Sequence, residues 1–271
     1  MFSEPEPGSD VASVRTRAVC DGDEWVLSGQ KVWTTNDHLG KIGILLARSD
    51  PSVPKHRGLS MFLIELDSPG VEIRPIHQID GGMEFDEIFL DGLRLPSEAL
   101  LGSAGDGWQV ASAMMLFQRI ARGTSNIGEV AHEFYDRLIA LKSPALDEPV
   151  NRDMMVQLYI AEVTQSLLAL RTRAAMDATG APGPGGSLTK LICAQVESQF
   201  AHLAYQLSGA RAQAWSREAA EGGALTQAAI YTLSRSIAGG TREIQRNIIG
   251  DRVLGLPRET DIVKDVPFDR L

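Results

Sequence analysis

The feature that most constrains this chain is a change of hydrophobic period part-way along it. From Val11 to about residue 100 the apolar residues fall in short alternating or continuous runs, and from Gly107 onward they recur at helical spacing. Runs over 11–20, 25–33, 42–47, 59–64, 71–76 and 84–90 predict strands, separated by Gly, Pro, Asp and Ser clusters, with Asp21-Gly22 as a turn. Strands at this spacing predict an antiparallel β-barrel or sandwich-like domain. Helices are predicted over 108–141, 151–179, 187–208, from about 225 to before Ala238, and over 243–254. The run Gly180-Ala-Pro-Gly-Pro-Gly-Gly186 breaks the series, and Ser187 is placed to cap the helix after it. The expected fold is α+β: an antiparallel β-domain over 1–104 followed by a four-helix-bundle domain over 105–271.

Composition excludes more than it identifies. Hydrophobic residues make up 44% of the chain and charged residues 23%, the balance of a globular protein. No apolar run approaches the ~18 residues of a membrane span, and no basic, apolar, small-residue leader is visible, so a cytoplasmic location is expected. A net charge of -9 argues against nucleic acid, which draws on clustered Lys and Arg. It leaves room for a nucleotide cofactor held by helix N-termini and a few local cations. Cys20 and Cys193 form no CxxC pair, and His38, His56, His77, His132 and His202 fall at no metal-ligand spacing, so no metal is expected.

Four segments carry a resemblance. Phe2-Ser-Glu-Pro-Glu-Pro-Gly-Ser-Asp10 is similar to a TEPxAGSD-like signature, and Gly29-Gln-Lys-Val-Trp-Thr-Thr-Asn36 to GxKxWITN. Gly105-Asp-Gly-Trp-Gln-Val110 opens the first helix, and Gly239-Gly-Thr-Arg-Glu-Ile-Gln-Arg246 is similar to EGTxxIQR. In this order and spacing they resemble the acyl-CoA dehydrogenase family over essentially the whole chain. Met1 falls directly at the flavin-binding signature, so the family's N-terminal helical domain, about 100 residues, is expected to be missing.

The resemblance implies FAD, an acyl-CoA thioester, and a homo- or hetero-oligomer with a related subunit. Trp33 would cover the flavin ring, Thr35 would aim a hydroxyl at N5 with Thr34 beside it, where the family often has an apolar residue, and Phe2 and Ser3 would meet the pyrimidine edge. Read without the family, the same residues are ordinary β-domain core and strand formers. Ser9 corresponds to a position near the pantetheine arm and diphosphate of the substrate, or else belongs to a simple Gly-Ser-Asp turn. Thr241 and Glu243 correspond to FAD diphosphate or adenosine contacts. Glu243 departs from the family's usual amide and would repel a diphosphate unless Arg242 or Arg246 intervenes. The family's Arg-x-x-Phe-Gly segment, which reaches FAD from a neighbouring subunit, has no counterpart in 141–152.

The family's base is a glutamate at one of two positions, here Gly239 and Gln118, the latter followed by Arg119, a substrate-side residue. Neither can accept the α-proton, which needs a basic group within about 3 Å or one water away. Gly239 could still offer its backbone N–H to the thioester oxygen. Three readings follow: a non-catalytic partner of a Glu-bearing subunit, a carboxylate placed elsewhere, or a flavin monooxygenase of the same fold. A binding or oligomerisation module without flavin is the alternative from another class.

Overall fold

The computed structural model describes residues 1–123, 133–180, 183–213, 222–259 and 263–271. They fall into two compact units, Met1–Met114 with Glu259–Leu271, and Met115–Arg258.

The first unit is built on one seven-stranded sheet: β1 (Arg17–Asp21), β2 (Glu24–Thr35), β3 (Ile42–Arg48), β4 (Leu59–Glu65), β5 (Val71–Ile76), β6 (Phe85–Pro96) and β7 (Leu100–Leu101), in the order β5-β6-β2-β1-β3-β4-β7. Every pairing is antiparallel except that of β1 with β3, which meet in parallel at Arg17 and Arg48. Asp21 and Glu24 face each other across a two-residue hairpin turn, where Gly22 takes φ +66°. The strand expected from Val11 starts later. Val11–Ser13 is a 3-10 turn, because Asp10 accepts the Ser13 N–H on its carbonyl and the Ser13 hydroxyl on its carboxylate.

Alternate residues of β2, β3, β4 and β6 fill the core, where Leu27, Leu45, Phe62, Ile64, Ile88 and Leu93 are all but inaccessible to solvent. Trp25 meets Phe62 edge-on at 5.3 Å. Each such side chain contributes about 1.5–3 kcal/mol on burial. The segment after residue 262 returns to this unit. Phe268 N–H donates to the Val53 carbonyl and Asp269 N–H to that of Pro51, and the Phe268 ring lies 3.9 Å from the Arg48 guanidinium. Arg48 is buried and donates to the carbonyls of Ala12, Val14 and Lys55. Burial lowers its pKa to about 10, so it stays charged at neutral pH.

The division between the units falls inside α1 (Gly107–Gly123). The second unit contains α2 (Glu133–Ala140), α3 (Pro149–Thr179), α4 (Gly185–Ser208), α5 (Gly222–Arg235) and α6 (Arg242–Arg252). The expected helix over 108–141 is described as α1 and α2, with 124–132 outside the described residues. Leu138, Met155, Leu158, Val196, Phe200 and Leu203 form the core, with Phe134 stacked on Phe200 at 4.6 Å. Glu162, buried on α3, accepts the Phe134 and Tyr135 N–H groups at 2.9 Å each, placing an anion at the start of α2 where free N–H groups and the helix dipole favour one. At the end of α3, Gly180 adopts φ +68° and its N–H closes on the Met176 carbonyl. Ser187 does not cap α4. The helix starts two residues earlier at Gly185, and Ser187 is buried in its first turn. No described helix is long and apolar enough to cross a membrane.

Candidate functional site

The β2/β6 ladder is interrupted twice. Between Leu27 and Gly29 the extra residue lies on β6; between Val32 and Thr34 it lies on β2, and it is Trp33. A bulge re-aims the side chain it carries. Trp33 takes φ +64°, a left-handed conformation rare for a bulky residue, and leaves its indole 59% exposed, touching Phe85 edge-on. Backbone held in such a region costs about 1–3 kcal/mol and persists where the surroundings impose it.

Thr34 and Thr35 part company here. Thr34 faces inward, and its hydroxyl donates to the Asp86 carbonyl at 3.3 Å, whereas Thr35 is exposed beside Trp33. Behind them Asp86, fully buried, accepts the His38 N–H at 3.2 Å and pairs with its Nδ1 at 2.8 Å, which fixes the loop after Asn36. Asp37 in that loop has its pKa raised by burial and, less strongly, by the Asp86 charge.

Met1–Glu4 runs alongside the second half of β2. The Met1 carbonyl accepts the Leu46 N–H at 3.2 Å, the Ser3 carbonyl accepts the Val32 N–H at 3.0 Å, and the Phe2 carbonyl accepts Lys31 Nζ at 3.1 Å. All three carbonyls are thereby committed to the sheet. The N–H groups of Phe2 and Ser3 and the Ser3 hydroxyl find no hydrogen-bond partner among the described residues. Lys31 is fully buried and bonded at 2.7 Å to Glu4, itself buried, whose carboxylate also accepts the Arg15 and Thr16 N–H groups and the Thr16 hydroxyl. Burial pushes Lys31 down to about 8 against the pull of Glu4. Burial alone would raise Glu4, but the Lys31 charge and the hydrogen bonds from Lys31, Thr16 and Arg15 outweigh it and hold the carboxyl below its usual range.

Ser9 is exposed on the following loop, at the rim of a cleft of about 1250 Å³ that Asp10, Arg15, Arg17, Trp25 and Phe268 also line. Asp10 bonds Lys55 at 2.7 Å as well as Ser13, so the Gly-Ser-Asp turn is both a structural turn and a cleft wall.

The second unit holds its own group. Gly239 and Gly240 take φ +71° and +93° just before α6. A Cβ on Gly240 would lie 2.6 Å from Gln245 Nε2, which donates to the carbonyls of both glycines. Gln245 is 1% exposed and its Oε1 has no partner among the described residues. Thr241 caps α6 by accepting the Ile244 N–H at 3.3 Å. Glu243 is exposed, with Arg246 at 3.9 Å, while Arg242 donates to Ser236 Oγ. Gln118 is exposed on α1; the Arg119 side chain lies outside the described residues.

Residues 1–92 match the middle-domain model of acyl-CoA dehydrogenases and residues 105–254 match the C-terminal-domain model. The chain belongs to the acyl-CoA dehydrogenase family. It is 39% identical over 263 residues to acyl-CoA dehydrogenase IpdE1 of Mycobacterium tuberculosis, an alignment covering 95% of this chain and 66% of that protein. It therefore spans about two thirds of that relative's length. Among solved structures it resembles the Tcur3481-Tcur3483 steroid ACAD (TM-score 0.83, 26% identity, covering 95% of this chain and 67% of that one). It also resembles a glutaryl-coenzyme A dehydrogenase in its glutaryl-CoA complex (TM-score 0.80, 26% identity, 96% and 67%). Acyl-CoA dehydrogenases are FAD-dependent oxidoreductases. An exposed Trp33 on a strained bulge, near two backbone donors and a hydroxyl with no acceptor among the described residues, fits the flat face and acceptor-rich edge of a flavin. Glu4 and Lys31 were not singled out from sequence, although each lies inside a segment that carries the family resemblance.

Proposed function

We propose that this chain forms the flavin- and acyl-CoA-binding part of a protein for α,β-dehydrogenation of an acyl-CoA thioester, and that it lacks the proton acceptor. The carrying observation is the pairing of an exposed, strained Trp33 with a glycine and an exposed amide at the two family base positions, Gly239 and Gln118. Trp33 and Thr35 would hold the ring face and N5 edge, and the N–H groups of Phe2 and Ser3 its pyrimidine edge. Bound flavin would supply the hydride acceptor. On the second unit, Thr241 and the two glycines would take the FAD diphosphate, Glu243 turning outward toward Arg246. Ser9 and Arg119 would meet the substrate. Gly239 could present its N–H to the thioester oxygen, which favours the enolate-like charge, but nothing at that position takes the proton.

A partner supplying a glutamate answers that lack, so we read the chain as one subunit of a heteromer. A relative of similar fold, the Tcur3481-Tcur3483 steroid ACAD, is named for two proteins together. The test is flavin absorbance of the purified chain followed by anaerobic addition of an acyl-CoA. FAD should bind, and the flavin should stay oxidised until a Glu-bearing related subunit is added. Rapid bleaching of the chain alone would overturn the missing-base reading; no flavin binding with or without the partner would overturn the flavin reading.

A further inference from the structure

Four hydrogen bonds tie the Met1–Ser3 segment to the sheet: Met1 exchanges two with β3 and packs its side chain on the core, the Ser3 carbonyl takes one from β2, and the Phe2 carbonyl takes one from a lysine that no solvent reaches. A buried cation is costly unless its charge is matched and its donors are used. Lys31 is matched by Glu4 and places a further donor on the Phe2 carbonyl, so one side chain ties the strand both to the segment and to the residue that follows it. Glu4 is in turn fixed by three groups of residues 15 and 16, which come from the approach to β1. A bare apolar pair at these positions would fill the same volume without setting the direction of the Phe2 carbonyl.

We propose that the Glu4–Lys31 pair is a positioning device that turns the carbonyls of Phe2 and Ser3 into the sheet and so leaves their N–H groups for the polar edge of a ligand lying beside Trp33. This rests on the flavin reading for the ligand's identity, but not for the latch itself. Lys31 and Glu4 act through the backbone they hold and do not themselves touch the ligand.

The test uses the full chain with Lys31→Met, with the double variant Glu4→Gln/Lys31→Met, and with Leu45→Ala as a core-destabilised control that leaves the segment alone. Two readouts are taken: hydrogen exchange of the Val32 and Leu46 amides relative to those of β4, and FAD affinity by fluorescence quenching. In both latch variants the Val32 and Leu46 amides should exchange at least about tenfold faster relative to β4, because local opening is released without global unfolding. Leu45→Ala should accelerate all of these amides together. FAD affinity should fall at least about tenfold in the latch variants at a temperature where all proteins are folded. If Lys31→Met fails to fold, the double variant, which buries no unpaired charge, carries the comparison. Uniform acceleration in the latch variants, or FAD binding as tight as in Leu45→Ala, overturns the proposal. If wild type itself binds no FAD, the flavin reading fails and the exchange measurement alone decides the latch.

Discussion

The two units hold their candidate site residues by opposite means. In the sheet unit a strained, exposed aromatic is backed by buried polar side chains bonded to one another: Lys31 to Glu4, Asp86 to His38. In the helical unit the corresponding place is made of backbone, with two glycines in left-handed conformations braced by the buried Gln245 amide. The difference separates shape from chemistry. A side-chain scaffold fails through its charges and is rebuilt only by restoring the pair, whereas a backbone scaffold keeps its shape whatever side chain stands beside it.

Breaking the sheet side should have the largest effect. Lys31→Met leaves Glu4 buried beside no cation and should cost about 3–5 kcal/mol, read as a lowered urea midpoint. The pH dependence follows from Glu4. Its folded pKa lies below the usual value, so its stabilisation is present above the unfolded carboxylate pKa and is lost as pH falls through the folded one. Wild type should lose stability across that acid window, and the Lys31→Met variant should show a shallower loss. Equal slopes would break the contrast between the units.

If, as proposed, the helical side lacks only the proton acceptor, Gln118→Glu should raise anaerobic flavin bleaching by an acyl-CoA about 10²–10⁴-fold, the usual worth of a general base. Gly239→Glu supplies the same carboxylate but forces a side chain into φ +71°, and should gain less while lowering stability. If both variants bleach no faster than wild type, the proton acceptor lies elsewhere. A smaller effect is expected of Trp33→Ala. Loss of a stacking face costs about 0.5–1.5 kcal/mol, a several-fold rise in FAD Kd by titration, with relief of backbone strain offsetting any loss of stability. The smallest is Thr241→Ala. It removes the α6 cap and should cost about 1 kcal/mol, visible by thermal melting, with Thr241→Ser recovering most of it.

The sequence alone made part of this comparison legible. Period-2 runs located the strands because most inward positions there are Val, Leu, Ile or Phe, and the Gly180–Gly186 break located the turn after α3 because glycine tolerates the φ of +68° that ends it. Trp33 and the glycines stood out through their motifs. Lys31 lies inside one of those motifs, but nothing in the pattern marks a strand lysine as buried. The ladder is regular between the two bulges, so Lys31 and Val32 point to opposite faces; Lys31 is buried because it meets the Phe2 carbonyl and Glu4, which lies 27 residues away. Ser187 misled for the opposite reason: a good capping residue with a helix beginning before it. The Glu162 carboxylate at the start of α2 was invisible because helical spacing reports which face is buried and not what a buried carboxylate bonds.

The contact between Phe268 and Arg48 has a consequence for the order in which the chain can mature. The sheet unit is discontinuous: its strands are made first, the helices follow, and the last piece of its packing arrives more than two hundred residues after Arg48. On a ribosome adding about 5–20 residues per second, Arg48 waits on the order of 10–45 s for its aromatic cover. In that interval its guanidinium has only carbonyl partners, and the Pro51–Pro54 edge is unpaired. Nascent chains stalled short of residue 268 should therefore be more open to proteolysis around 50–54 than chains stalled beyond it.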